Sequence, residues 1–335
     1  MLGGPILTAI TSLLTAFGSP TFGWLLLWRF LGGAAAQGWE LSRLAMIADS
    51  DNPRERGRLL KWMFQISSTS SLLAPSLGGA VAEIDLRIPF VLYGVLSFIA
   101  IIPSLWLLRE TDPSRTGQRT EGDLGERAKW KFVIGLLIQR EMFLFLIAQF
   151  LANVARWVQM GGVMNLYVAY AYNAGPLTVG LLNTATGVVT TPIGFLSGSV
   201  MDRWGRKKSI VPGFALLFVA LLLVSATALL RASFGVFVAA YLFMNLAQSI
   251  TGGNMQVMGA DLAPTVARGR FIGAWRLIGR GGGFVGPAAF GWLAEVSGYA
   301  SAFAFLAVCS LAVALIVGLT IRETVGRERP APAPP

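Results

Sequence analysis

Apolar runs of about twenty residues recur along the chain, separated by polar breaks. They fall near 2–18, 22–48, 63–82, 88–108 and 142–171, then near 177–200, 209–230, 233–260, 271–294 and 300–321. A helix rises ~1.5 Å per residue, so a run of this length crosses ~30 Å of hydrocarbon. The pattern predicts ten membrane-spanning helices. A membrane barrel would need ten-residue segments of alternating polarity, and none is present. The first run has no basic residue ahead of it and no small-residue cleavage site, so it reads as a span and not as a signal peptide. Residues 109–140 are the one long polar interruption and read as a linker, and the last five residues, APAPP, read as a disordered end.

Composition sharpens this. Of 335 residues, 54% are apolar before the 39 glycines are added, and only 13% are charged. Soluble domains carry about a quarter charged residues. There is too little charge here to coat a soluble exterior, so soluble globular and disordered classes are excluded. The chain has no histidine and one cysteine, Cys309. Internal disulfides, His-based zinc sites, Ser-His-Asp triads and Cys-His dyads are therefore ruled out within the chain. No enzyme chemistry, metal or cofactor is expected.

The net charge of +10 is a matter of location. Loops on one side hold 20 of the 27 basic residues, those on the other only Arg87 and Arg231, and five arginines lie within spans. The positive-inside rule places the basic loops and both termini in the cytoplasm. The charge is thus a topology signal, and no nucleic-acid partner is expected. Eight of the ten tryptophans fall near predicted interfaces; Trp39 and Trp157 fall at mid-depth.

The two halves repeat. At an offset of 212, Met46, Ala48 and Asp49 fall on Met258, Ala260 and Asp261. Arg56, Gly57 and Arg58 fall on Arg268, Gly269 and Arg270, Pro75 on Pro287, Gly79 on Gly291, and Ala82 and Glu83 on Ala294 and Glu295. One residue further, Arg109, Glu110 and Thr111 match Arg322, Glu323 and Thr324. A colinear set over more than sixty residues marks a parallel internal repeat. The second half has six predicted spans and the first four. The expectation is that about seventy upstream residues, carrying two further spans, are absent from this sequence.

At this point the chain resembles the major facilitator superfamily of transporters, in particular its drug/proton antiporters. GSVMDRWGRKK, residues 198–208, matches the family's loop signature through Gly198, Asp202, Arg203, Gly205, Arg206, Lys207 and Lys208. Arg29, Gly32 and Gly33 resemble the arginine motif of the family's fourth helix. Ala74, Pro75, Gly78 and Gly79 resemble the end of the fifth-helix exporter motif, with alanine where glycine is usual; Gly286, Pro287 and Gly291 echo it in the eleventh-helix position. The resemblance implies an all-α, two-half bundle with about ten spans in place of twelve. Its plan is an incomplete first half over 1–108 (the family's third to sixth spans), a cytoplasmic linker over 109–140, a second half over 141–322 and a tail over 323–335. It also implies that Asp202 bonds across the cytoplasmic gate, with the Arg58 end of the 59–82 helix as partner. Asp49, Asp261 and Arg270 belong to that gate set.

Charges inside spans cost several kcal/mol unless paired or facing water. Arg156 lies mid-span on a stripe with Gln149, Asn153 and Gln159, and Arg280 lies ~15 Å beyond Arg270. Asn245, Gln248 and Gln256 form another polar stripe. These residues, with Arg29, Trp39 and Trp157, are read as lining a solute cavity. Glu40, the one acid placed deep in a span, is the candidate proton carrier, while Arg43 and Arg276 read as structural. Pro75 and Pro287 invite bends, with Gly78, Gly79, Gly286 and Gly291 beside them. Glu83 and Glu295 read as solvated helix ends.

The sequence thus points to a monomeric multi-pass transporter that moves a small solute by alternating access, coupled to protons and working as an exporter. No GxxxxGK[ST] motif is present, so ATP is not expected to drive it. Two rival readings are a fragment that does not transport and an intramembrane enzyme.

Overall fold

The computed structural model describes residues 3–48, 53–107, 126–160, 162–251, 254–264 and 267–321, and every regular element among them is a helix. The chain divides into two compact units. Unit 1 comprises Met1–Gln118 with Gly175–Thr184, and unit 2 comprises Arg119–Ala174 with Ala185–Pro335.

Unit 1 contains α1 (Gly3–Phe17), α2 (Phe22–Ala48), α3 (Pro53–Ile84), α4 (Ile88–Ile99) and α5 (Ile101–Leu107). α1 packs on α2 and α4. Its buried face carries Thr8, Thr11, Ser12 and Thr15 at helical spacing. Away from water such hydroxyls need acceptors. Thr11 Oγ1 donates to Leu7 O and Thr15 Oγ1 to Thr11 O, both at 2.7 Å, and Ser12 Oγ reaches Phe90 O on α4 at 2.9 Å. Gly32 on α2 sits against Thr11, and Gly94 on α4 against Ala9 and Leu13, so the backbones come close.

Unit 2 contains α6 (Glu126–Ile138), α7 (Arg140–Met160), α8 (Val163–Tyr172), α9 (Pro176–Trp204, from Ala185 on), α10 (Arg206–Leu229), α11 (Phe234–Thr251), α12 (Asn254–Leu262) and α13 (Arg268–Thr320). In its core Leu217, Leu221, Met244, Phe303 and Leu306 are fully buried. α7 packs along α13, from Phe145 on Trp275 to Trp157 on Gly283, and α10 packs against both α11 and α13. Hydroxyl-to-carbonyl bonds join the helices: Ser249 Oγ to Thr190 O at 2.8 Å, Ser197 Oγ to Ile250 O at 3.0 Å and Ser225 Oγ to Ala300 O at 2.7 Å.

The element boundaries depart from the apolar runs at several points, among them the 88–108 run, which is divided into α4 and α5. The linker segment holds α6, whose Val133 is buried against Ala263, Ala267 and Phe271. The 142–171 run breaks at Gly162, which has φ 84° and separates α7 from α8. The last two runs are joined as α13, interrupted at Gly298, whose φ of 83° leaves the helical region. α3 starts ten residues before the apolar run, at Pro53. By length and composition, four stretches among the described residues are each long and apolar enough to cross a membrane: Arg140–Gln159, Arg206–Leu229, Phe234–Gly259 and Gly269–Thr320. Gly3–Phe17 and Ile88–Pro103 are shorter apolar helices.

Candidate functional site

In unit 2, α7 projects a polar stripe between α10 and α11–α12. Gln149, Asn153, Arg156, Gln248, Thr251 and Gln256 line one small cavity of about 20 Å³, with Phe214 and Met255 on its apolar side. The volume is that of one water or one polar substituent. Asn153 Nδ2 donates to Gln149 O one turn back at 2.8 Å, which fixes its rotamer. Gln149 is 5% exposed, and its Oε1 and the Oε1 of Gln248 are buried acceptors without a hydrogen-bond partner. Buried acceptors left open cost ~1–3 kcal/mol each, so this cavity suits an incoming donor.

Other residues expected in a cavity lie elsewhere. Gln159 is buried, with both amide atoms unpartnered, but does not line this space. Asn245 Nδ2 is turned onto Tyr241 O of its own helix at 2.8 Å. Arg280 is exposed on α13, and neither it nor Arg156 is free of polar neighbours. Trp157 is 43% exposed, with its indole against Gly283. In unit 1, Trp39 is half-buried against Gly4, and the Arg29 guanidinium lies 5.4 Å above the Phe90 ring. The side chains of Glu40 and Arg43 lie outside the described residues.

The 198–208 loop folds as a tight helix-to-helix corner. α9 ends at Trp204 and α10 starts at Arg206, with Gly205 between them at φ 106°, ψ 157°. That region is open to glycine and closed to most other residues. Arg206 Nε donates to Asp261 Oδ2 on α12 at 2.9 Å, and Lys207 Nζ to Ile321 O at 2.9 Å beyond the end of α13. The loop thereby gathers three helix ends of unit 2. Lys208 is exposed and Arg270 half-buried. The side chains of Asp49, Arg58, Asp202 and Arg203, which the gate expectation also needs, lie outside the described residues, as does the Cα environment of Gly198.

Both proline–glycine motifs lie within helices that continue through Pro75 and Pro287; the break in α13 falls later, at Gly298. Gly286 faces Val154 of α7, where an added Cβ would stand 2.6 Å from the Val154 carbonyl oxygen. Gly79 faces Pro176, Leu177 and Gly180 at the start of α9, within unit 1. Gly78 and Gly291 meet nothing within 4 Å. Glu83 is exposed at the end of α3, and its Oε2 in addition accepts from the Leu177 backbone N–H at 3.1 Å. A carboxylate placed on the first free amides of a helix is favoured by the helix dipole. Sequence pattern missed it because the partner lies 94 residues away and is backbone.

The sequence profile of the Major Facilitator Superfamily matches residues 1–158 and 145–335. The Quinolone resistance protein NorA of Staphylococcus aureus is 27% identical over 187 residues, 55% of this chain and 45% of NorA. An uncharacterized MFS-type transporter of Methanocaldococcus jannaschii is 24% identical over 272 residues, 79% of this chain and 67% of that one. The chain thus spans about half the length of the first of these relatives. Among solved structures, a D-xylose-proton symporter aligns with a TM-score of 0.76 at 16% identity, over 97% of this chain and 81% of that one. An inward-open xylose transporter XylE from E. coli aligns at 0.71 and 16% identity, over 97% and 79%.

Proposed function

The chain belongs to the major facilitator superfamily and is a multi-pass membrane protein, and from that premise we propose that it is a secondary transporter that exports a small solute in exchange for protons. The solute carries a hydrogen-bond donor and an apolar or aromatic body. The observation that carries this reading is the polar cavity on α7. Gln149 and Gln248 hold unpartnered acceptors there, and Arg156, Asn153 and Gln256 complete a lining of one small polar space. Buried polar groups in a membrane bundle are expensive and mark solute or ion paths. Arg280, Gln159, Asn245, Trp39, Trp157 and Arg29 belong, in this reading, to the wider path in another access state, and Glu40 to the proton step. Exchange of states would proceed by rocking of one repeat against the other, the scheme common to repeat-built transporters.

The direction rests on the exporter-like Pro75–Gly79 segment and on the likeness to NorA, whose name records quinolone resistance. Quinolones, planar aromatics with polar edges, are therefore the first solutes to test. Purified protein in liposomes should move one of a panel of quinolones and amphiphilic dyes when a pH gradient is imposed, and stop when the gradient is collapsed. Movement that ignores the gradient removes the proton; movement of no member removes the export reading.

A further inference from the structure

The α7 cavity carries a surplus of hydrogen-bond acceptors. Asn153 Nδ2 spends a donor on Gln149 O, and Thr251 Oγ1 donates to Gln248 O at 2.8 Å, so both side chains are turned onto carbonyls of their own segments. The Gln149 amide nitrogen lies against Gly279 of α13, where an added Cβ would stand 2.9 Å from it. Two carbonyl oxygens stay open: Gln149 Oε1 on α7 and Gln248 Oε1 on α11. Gln149 lies ~14 Å along α7 from Arg140, deep in the span, where an unmet acceptor cannot turn to bulk water.

Those two oxygens decide what the space accepts. A carboxylate brings only acceptors and would set its own lone pairs against both amides. An ammonium has donors, but Arg156 is the charged side chain among the described lining residues, and like charges repel strongly at low dielectric. A hydroxyl carries one proton and answers one oxygen. A neutral NH2 group conjugated to a carbonyl or an aromatic ring carries two N–H donors and stays uncharged at neutral pH. The space of about 20 Å³ admits a group of that size and not one enlarged by an N-methyl. Phe214 and Met255 supply an apolar wall for the body that carries it.

We propose, building on the reading of this cavity as part of the solute path, that it recognises a neutral primary NH2 head, with one N–H to Gln149 Oε1 and the other to Gln248 Oε1. The solute class is accordingly carboxamides, ureas and amino-heterocycles, with ammonium and carboxylate heads excluded from this pocket. The head ties α7 to α11, since each helix contributes one of the two acceptors. A carboxamide adds a carbonyl oxygen whose chemistry suits the Arg156 guanidinium. Each donor supplied removes the cost of leaving one acceptor unpaired, so affinity steps with the number of N–H or O–H protons on the head.

The test is binding, measured by isothermal titration calorimetry on the purified protein in detergent, with naphthalene probes that differ only in the head. Naphthamide offers two donors, naphthylmethanol one and N,N-dimethylnaphthamide none, while naphthylmethylamine is a cation at neutral pH and naphthoate an anion. The primary amide should bind tightest, with affinity falling about tenfold for each donor lost. Both ions should bind no better than the dimethylamide. Gln248→Leu leaves one acceptor, so the amide and the alcohol should then bind about equally; Gln149→Leu should do the same from the other helix. Equal affinity for the amide and the dimethylamide, an ion that matches the amide, or an amide-over-alcohol preference that survives both substitutions each overturn the proposal. Binding of no probe overturns it too, and leaves the pocket to water alone. No gradient is imposed, so the outcome stands apart from the export reading: amide-selective binding without movement driven by a pH gradient removes export and keeps the site.

Discussion

Arg206 Nε lies 2.9 Å from Asp261 Oδ2, and this pair ties the start of α10 to the end of α12 inside unit 2. Arg206 comes from the loop signature, and Asp261 is the repeat partner of Asp49. The sequence expectation sent that loop's acid, Asp202, across to Arg58; the loop's arginine bonds within its own unit. The pair is partly exposed, with Asp261 at 36%, so its value to stability is small. Its geometry matters more, because it fixes the corner at Gly205.

Arg206→Ala should accordingly cost little stability, within about 1 kcal/mol, while lowering transport several-fold. Arg206→Asp combined with Asp261→Arg should recover part of the loss. Normal transport by Arg206→Ala in liposomes would leave the loop with an anchoring role alone.

The Glu83–Leu177 bond predicts a local effect. Glu83→Ala should speed amide hydrogen exchange at the start of α9, since removing a helix-capping acceptor costs roughly 1 kcal/mol. Glu83→Gln keeps an oxygen acceptor and should lie closer to the parent. Unchanged exchange around Leu177 in Glu83→Ala would show that the carboxylate contributes nothing there.

Gly286 and Gly291 make a matched pair of tests. Gly286→Val drives a side chain into the Val154 carbonyl, and overpacking of this kind costs about 1–3 kcal/mol. Gly291 meets nothing within 4 Å, so Gly291→Ala should be neutral or slightly stabilising, as helix propensity favours alanine. Thermal unfolding in detergent separates the two; equal melting temperatures would contradict the α7–α13 approach.

Gln149→Leu should fill the polar cavity with an apolar group and relieve an unpartnered acceptor. The expected result is equal or higher stability with solute affinity reduced about tenfold, the equivalent of ~1.4 kcal/mol. Arg156→Ala should lower affinity in parallel. If both variants bind and move the solute as the parent does, the cavity is not on its path.

The helical class, the repeat and the family were legible in the sequence, because each is a local or periodic property. A bilayer demands about twenty apolar residues per crossing and hydrogen bonds closed within each helix, so apolar runs translate directly into helices. The same holds for Gly205, whose place between Trp204 and a basic run marks a corner. The breaks at Gly162 and Gly298 were less visible, since glycine is common in these helices and its dihedrals are set by neighbours. Contact partners were not legible at all. Asn245 and Asn153 both sit on amide stripes, yet only Asn153 lines the cavity, because which side of a helix meets which neighbour depends on packing remote in sequence. Glu83 likewise finds a backbone amide that no side-chain pattern announces.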